Sequence, residues 1–189
     1  SNNASQLGPN PVPATPENIR KGLAYVESLE GSGGTMMIEG IKAALDFAHD
    51  PQRFRLVSFM TDGYIGNEAE ILAAIAQRLG ASRIFSFGVG SSVNRYLLDR
   101  MAKLGKGAVA YIGPDDSAGE VVDLFYDRIS HPALTDVEID WGDMQVTDLY
   151  PSRIPDLFVG RPVILTGRFK SGSNTTIHVK GKVGDMTQD

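Results

Sequence analysis

A mostly apolar run, Phe54–Gly63, constrains the fold of this chain more than any other feature. It has the length of a strand and ends in Thr61-Asp62-Gly63, and Gly33-Gly34-Thr35 opens a helical pattern just upstream. A near-continuous apolar strand is typical of a parallel sheet that helices cover on both faces. Open sheets of this kind bind ligands beyond the carboxyl ends of their strands. The sequence therefore predicts a site near Asp62.

Helical and strand patterns alternate through the first two thirds of the chain. Apolar residues recur at helical spacing over 15–29, 35–48, 67–79, 93–104 and the stretch that ends at Ile129, and strand-like runs fill 54–61, 84–89 and 108–112. Parallel neighbours need a crossover helix between them. The order αα-βα-βα-βα therefore predicts an α/β fold, a partial, Rossmann-like doubly wound parallel sheet.

The pattern changes after Pro132. Val137, Ile139 and Trp141 alternate with acidic residues, and 162–169 and 175–182 are two further strand candidates without helices between them. This predicts a small antiparallel β segment. The expected organisation is a disordered leader or expression remnant over 1–14, an α/β domain over 15–132, a β module over 133–182 and a frayed tail over 183–189.

Composition excludes several classes of function. The net charge is -5 and the sequence pI is about 5.2, with the 18 Lys and Arg residues scattered along the chain, so no basic surface for nucleic acid is expected. No run reaches the roughly 20 apolar residues that span a bilayer. The absence of cysteine excludes disulfides and thiolate metal sites.

A hydroxyl and a carboxylate are expected at the same edge of the predicted sheet. Thr35 and Asp62 carry oxygen atoms of the kind that Mg²⁺ prefers, so together they would form part of a metal site. A simpler interpretation stays open for each residue. Thr35 would cap the helix that follows it, and Asp62 would form a turn beside Gly63.

The chain resembles the second half of a von Willebrand factor A domain, in the variant of proteins similar to inter-α-trypsin-inhibitor heavy chains. The segment Leu149–Phe158 is similar to the stretch that follows the domain in that variant. The resemblance covers about residues 15 to 182. Within the domain it is carried by five short segments: Pro16-Glu17-Asn18, Gly33-Gly34-Thr35, Thr61-Asp62-Gly63, Phe85–Gly90 and Arg128–Pro132.

This resemblance implies a metal-ion-dependent adhesion site. In the family an Asp-x-Ser-x-Ser loop, a Thr from a second loop and an Asp from a third loop hold the ion. Thr35 matches the second loop and Asp62 the third, whereas the first loop and the first strands of the sheet have no counterpart in this sequence. The intact domain is expected to bind Mg²⁺, Mn²⁺ or Ca²⁺, and this chain to bind the ion weakly or not at all.

The function implied by the resemblance is a non-enzymatic binding or adhesion module. Its ligand would be a protein that presents an acidic side chain, and its place would be extracytoplasmic or at the cell surface. Two alternatives stay open: a metal-bearing partner subunit of an ATP-driven enzyme complex, and a purely structural domain. The open edge expected at strand 54–61 predicts a dimer or a strand swap.

Overall fold

The computed structural model describes residues 6–30, 37–50, 53–62, 66–130, 132–158, 162–170, 174–183 and 186–188. The five helices of this part of the chain are α1 (Pro16–Glu27), α2 (Met37–Asp46), α3 (Glu68–Arg78), α4 (Arg95–Leu104) and α5 (Ala118–Ile129). Its strands are β1 (Leu56–Thr61), β2 (Arg83–Val89), β3 (Val109–Ile112), β4 (Pro132–Asp140), β5 (Val146–Tyr150), β6 (Leu157–Phe158), β7 (Thr166–Phe169), β8 (His178–Val183) and β9 (Met186–Gln188).

The first three strands form one sheet in the order β1-β2-β3. β2 and β3 run parallel, in a register that aligns Ser86 with Val109 and Val89 with Ile112. Six consecutive residues of β2 are buried, as expected for a strand that is covered on both faces. The predicted parallel α/β sheet is confirmed.

Helices cover both faces of β2. A side-chain carbon at Gly88 would meet Leu98 of α4, so this face of the strand lies under α4. The alternate residue Phe87 packs on Phe125 of α5, with 4.3 Å between the ring centroids. Because successive side chains of a strand point to opposite faces, α4 and α5 lie on opposite sides of the sheet. The doubly wound arrangement is therefore confirmed.

One compact unit of the chain comprises residues 1–57 and 64–83. Its core forms where α2 packs against α3, through Ile41, Leu45, Ile71 and Ile75, which are at most 4% exposed. The guanidinium of Arg55 donates to the carbonyl oxygens of residues 44 and 45 at the end of α2. Burial lowers the pKa of Arg55, and the charge of Asp46 opposes this effect.

Helix α1 begins as its sequence predicts. The hydroxyl of Thr15 accepts a hydrogen bond of 3.2 Å from the backbone N–H of Asn18, and Pro16 is the first helical residue. The apolar stripe of α1 is nevertheless exposed to solvent. Exposure ranges from 50% to 59% for the four residues at helical spacing: Ile19, Leu23, Val26 and Leu29.

The second compact unit comprises residues 58–63 and 84–189. Its core contains a cluster of aromatic rings in which Phe85 packs edge-on against both Phe125 and Phe158, with ring centroids 5.7 Å apart in each pair. Phe158 belongs to β6, so the β segment contributes to the core around the parallel sheet.

The antiparallel β segment after residue 132 is confirmed. Strands β6, β4, β8 and β9 form one sheet in that order, and β5 pairs with β7 in a second. Sequence analysis did not predict β5, β6 or β9, and β9 pairs with β8 in the stretch where a frayed tail was expected. Trp141, the last apolar residue of the alternating pattern, is half-buried. The domain boundary at residue 132 stays a prediction.

Candidate functional site at the carboxyl edge of the parallel sheet

Asp62 directly follows the last residue of β1 and is exposed to solvent. The alternation along β1 explains its position, since Val57 is buried and Phe59 and Thr61 are half-buried on the same face of the strand. Asp62 therefore lies at the carboxyl end of a strand, where open sheets bind ligands. Thr35, its expected partner, lies outside the described residues. The roles of both residues in metal binding stay predictions.

The loops that follow β2 and β3 begin at the carboxyl edge of the sheet, because the two strands are parallel. Gly90, with a φ of 95°, adopts a conformation that favours glycine, and its N–H donates to the carbonyl oxygen of Ile112 at 2.8 Å. The carboxylate of Asp116 accepts a bond of 2.7 Å from the N–H of Gly113 and so orders the loop after β3. The side chain of Ser117 caps α5.

Tyr111, near the end of β3, forms a polar cluster with two residues of α4. Its hydroxyl donates to the carboxylate of Asp99 at 2.9 Å, and the guanidinium of Arg95 lies 4.0 Å from the centre of its ring. Burial, together with the hydrogen bond and the charge of Asp99, raises the pKa of Tyr111 to about 12, and the charge of Arg95 opposes these effects. Sequence analysis missed this cluster. The i, i+4 spacing of Arg95 and Asp99 on α4 was its only local signal, and it does not identify the partner on β3.

The metal-ligating side chains of the described residues do not converge. No group of three His, Cys, Asp or Glu side chains placed to hold an ion occurs in this part of the chain. Mg²⁺ takes about six oxygen ligands in near-ideal octahedral geometry. Asp62 supplies one such group at the sheet edge, so the described residues alone do not fit Mg²⁺.

No helix in the described part of the chain is long and apolar enough to cross a bilayer.

Two of the known proteins that this chain resembles show its similarity to other sequences. A von Willebrand factor A domain-containing protein of Dictyostelium discoideum is 29% identical over 143 residues, which cover 75% of this chain and 15% of that protein. Inter-alpha-trypsin inhibitor heavy chain H3 of Pongo abelii is 25% identical over 170 residues, which cover 83% of this chain and 19% of that protein. The chain thus spans less than a fifth of the length of either relative.

A solved structure shares the fold. The structure of a von Willebrand factor type A protein from Catenulispora acidiphila superposes with a TM-score of 0.64 and 16% sequence identity, over 96% of this chain and 51% of that one. The sequence profile of the von Willebrand factor type A domain matches residues 1–111, which is more than half of the chain. This protein therefore belongs to the von Willebrand factor type A domain family.

Proposed function

We propose that this chain is a non-enzymatic protein-binding module whose ligand contacts the carboxyl end of β1 through an acidic side chain. Domains of this family generally bind proteins or mediate adhesion. The observation that carries the proposal is the exposed carboxylate of Asp62 directly after β1, in a chain that belongs to this family. Family membership supports the class of function, and the position of Asp62 supports the location.

A divalent cation would account for the attraction between Asp62 and an acidic ligand, which otherwise repel each other. In this proposal Asp62 and Thr35 are two of the ligands of Mg²⁺, Mn²⁺ or Ca²⁺. Because the described residues supply too few oxygen ligands for Mg²⁺, we expect the ion to bind this chain weakly.

Calorimetric titration with Mn²⁺ or Mg²⁺ tests the site. We expect binding no tighter than millimolar for this chain, and a further loss in Asp62→Asn, which keeps the size of the side chain but removes its charge. Asp143→Asn is the matched control, because Asp143 is also exposed but lies in the β segment. Thermal stability should be the same in all three proteins.

The opposite results have definite meanings. Micromolar binding that Asp62→Asn abolishes would mean that other groups complete the site, for example those of a second copy of the chain. Binding that is unchanged by Asp62→Asn would contradict the assignment of Asp62. Asp62→Ala then distinguishes the proposal from a purely structural role. If Asp62 were structural, this substitution would lower the melting temperature.

We further propose that the protein acts outside the cytoplasm or at the cell surface. The support for this placement is the similarity to inter-alpha-trypsin inhibitor heavy chains.

The outer edge of β1 supports a second proposal, that two copies of the chain associate. β1 lies at one end of the parallel sheet, and no strand of the described residues pairs with its outer edge. Leu56 and Met60 on this strand are 43% and 72% exposed. A long apolar edge is a template for pairing with another chain.

A further inference from the structure

The other end of the parallel sheet, β3, also presents an unpaired edge in the described part of the chain. The carbonyl oxygens of Ala108 and Ile112 accept backbone hydrogen bonds of 2.9 and 2.8 Å from β2 and the residue after it. Backbone groups of successive residues point to alternate sides of a strand in the plane of the sheet. The N–H and C=O groups of Val109 and Tyr111 therefore point outward, toward solvent.

A groove runs beside this edge, between β3 and α5. Two alanines that pack toward the aromatic core, Ala110 of β3 and Ala108 just before it, are small and leave a cavity of about 230 Å³. At about 30 Å³ per molecule in liquid water, this volume corresponds to about seven or eight water molecules, or to a few small apolar groups. Leu124 of α5, 53% exposed, lies on its rim. The other lining residues are apolar or aromatic: Val109, Tyr111, Val121, Phe125, Ile129 and Phe158.

Helix α5, which forms one side of the groove, and the loop before it are strongly acidic. Residues 107–131 carry five carboxylates and one arginine, a formal charge of -4 in a chain whose net charge is -5. The five acids, all exposed, are Asp115, Asp116, Glu120, Asp123 and Asp127. Such a surface attracts a basic partner and repels an identical acidic surface on a second copy.

We propose that this groove binds an extended, basic peptide segment that adds to β3 as a further strand. The outward backbone groups of Val109 and Tyr111 would pair with the peptide backbone, and alternate apolar side chains of the peptide would enter the cavity. Its lysine or arginine side chains would lie near the carboxylates of α5. This surface is independent of Asp62 and of any metal ion.

The probe is the synthetic peptide acetyl-(Lys-Val)₄-amide, titrated into the full chain and followed by the amide resonances of the protein. We expect the resonances of Val109 and Tyr111 to shift. Leu124→Lys should raise the Kd about tenfold, since it removes an apolar contact and adds a like charge at the rim. Val122→Lys is the matched control, because Val122 is also an exposed residue of α5 but does not line the cavity.

Two further comparisons separate the parts of the proposal. The double variant Glu120→Gln/Asp127→Asn should weaken binding and reduce its dependence on salt, whereas Glu27→Gln/Glu30→Gln, on and just after α1, should leave both unchanged. A fully N-methylated peptide should fail to bind, because it cannot donate to the β3 edge.

Several results would overturn the proposal. These are the absence of any shift at millimolar peptide, equal affinity for the N-methylated peptide or for acetyl-(Glu-Val)₄-amide, and equal weakening by Val122→Lys. A change in sedimentation mass in Leu124→Lys without peptide would show that a second copy occupies the groove, which also contradicts a basic peptide as its occupant.

Discussion

At the scale of single residues, the polar groups of this chain acquire their properties from neighbours that are distant in sequence. Tyr111 is the clearest case. Its hydroxyl donates to Asp99 on α4, and its ring lies under Arg95. The sequence places Tyr111 near the end of a strand, but its partners come from a helix that precedes that strand.

The raised pKa of Tyr111 predicts a pH dependence of stability. Because the pKa is about 12 in the folded chain and about 10 in an unfolded one, the folded state holds this proton more tightly. The stabilisation is fully present below pH 10 and is lost as the pH rises toward 12. Melting temperatures measured across this range should fall more steeply for the unchanged chain than for Tyr111→Phe.

Tyr96→Phe provides the control for this measurement, since Tyr96 is a tyrosine of α4 that is 62% exposed. The melting temperature of Tyr96→Phe should change with pH in the same way as that of the unchanged chain. Parallel curves for the unchanged chain and Tyr111→Phe above pH 10 would contradict the raised pKa of Tyr111.

At the scale of elements, capping residues in the sequence mark where helices begin, and packing decides where a glycine is required. Asn94 caps α4 and Ser117 caps α5, each by accepting a hydrogen bond from a backbone N–H. Asn67 precedes α3 and bonds the side chain of Glu70 at 3.2 Å, but it does not cap the helix backbone. The glycines in and between these elements differ in which atoms an added side-chain carbon would contact.

Two glycine substitutions should have opposite effects on the free energy of unfolding. Gly40 lies inside α2 with open space around it, so Gly40→Ala should stabilise the chain by about 0.5–1 kcal/mol through its higher helix propensity. In Gly107→Ala the added carbon would collide with the backbone carbonyl of Ile84, and we expect a loss of about 3 kcal/mol.

Urea unfolding followed by far-ultraviolet circular dichroism measures both changes. The fluorescence of Trp141 adds a probe within the unit that contains Gly107. An unchanged urea midpoint in Gly107→Ala would mean that the loop before β3 moves to accept a side chain.

At the scale of the whole molecule, both outer strands of the parallel sheet have unpaired edges in the described part of the chain, and the two edges differ. The β1 edge has exposed apolar side chains, whereas acidic residues flank the β3 edge. Apolar edges favour self-association, and charged edges oppose it. This difference is why we propose self-association at β1 and partner binding at β3.

Sedimentation at high micromolar concentration tests the β1 proposal. We expect a dimer for the unchanged chain and a monomer for Met60→Lys, because a charge on the edge strand blocks pairing with a second copy. Ile164→Lys is the control, since Ile164 is exposed to a similar extent, 74% against 72%, but lies in the β segment. A monomer for the unchanged chain would contradict the proposal.

The sequence by itself determined the order of helices and strands up to Ile129, the parallel α/β class, the cap of α1 and the position of Asp62 after β1. These features follow from local periodicity, turn residues and capping chemistry, which act over a few neighbouring residues. Strands β5, β6 and β9 escaped prediction because their pairing depends on partners elsewhere in the chain. β6 and β9 have only two and three residues and carry almost no periodic signal, and the five residues of β5 do not alternate between buried and exposed.

Only the tertiary structure decided which apolar surfaces are buried and which polar groups meet. The stripes of α1 and α3 are similar in sequence, yet Ile71 and Ile75 of α3 are fully buried whereas Ile19 and Leu23 of α1 are exposed. The physical reason is that a periodic pattern specifies a face, but burial depends on what packs against that face. The groove beside β3 has the same origin, because it exists only where a strand edge, two alanines and the acidic α5 come together.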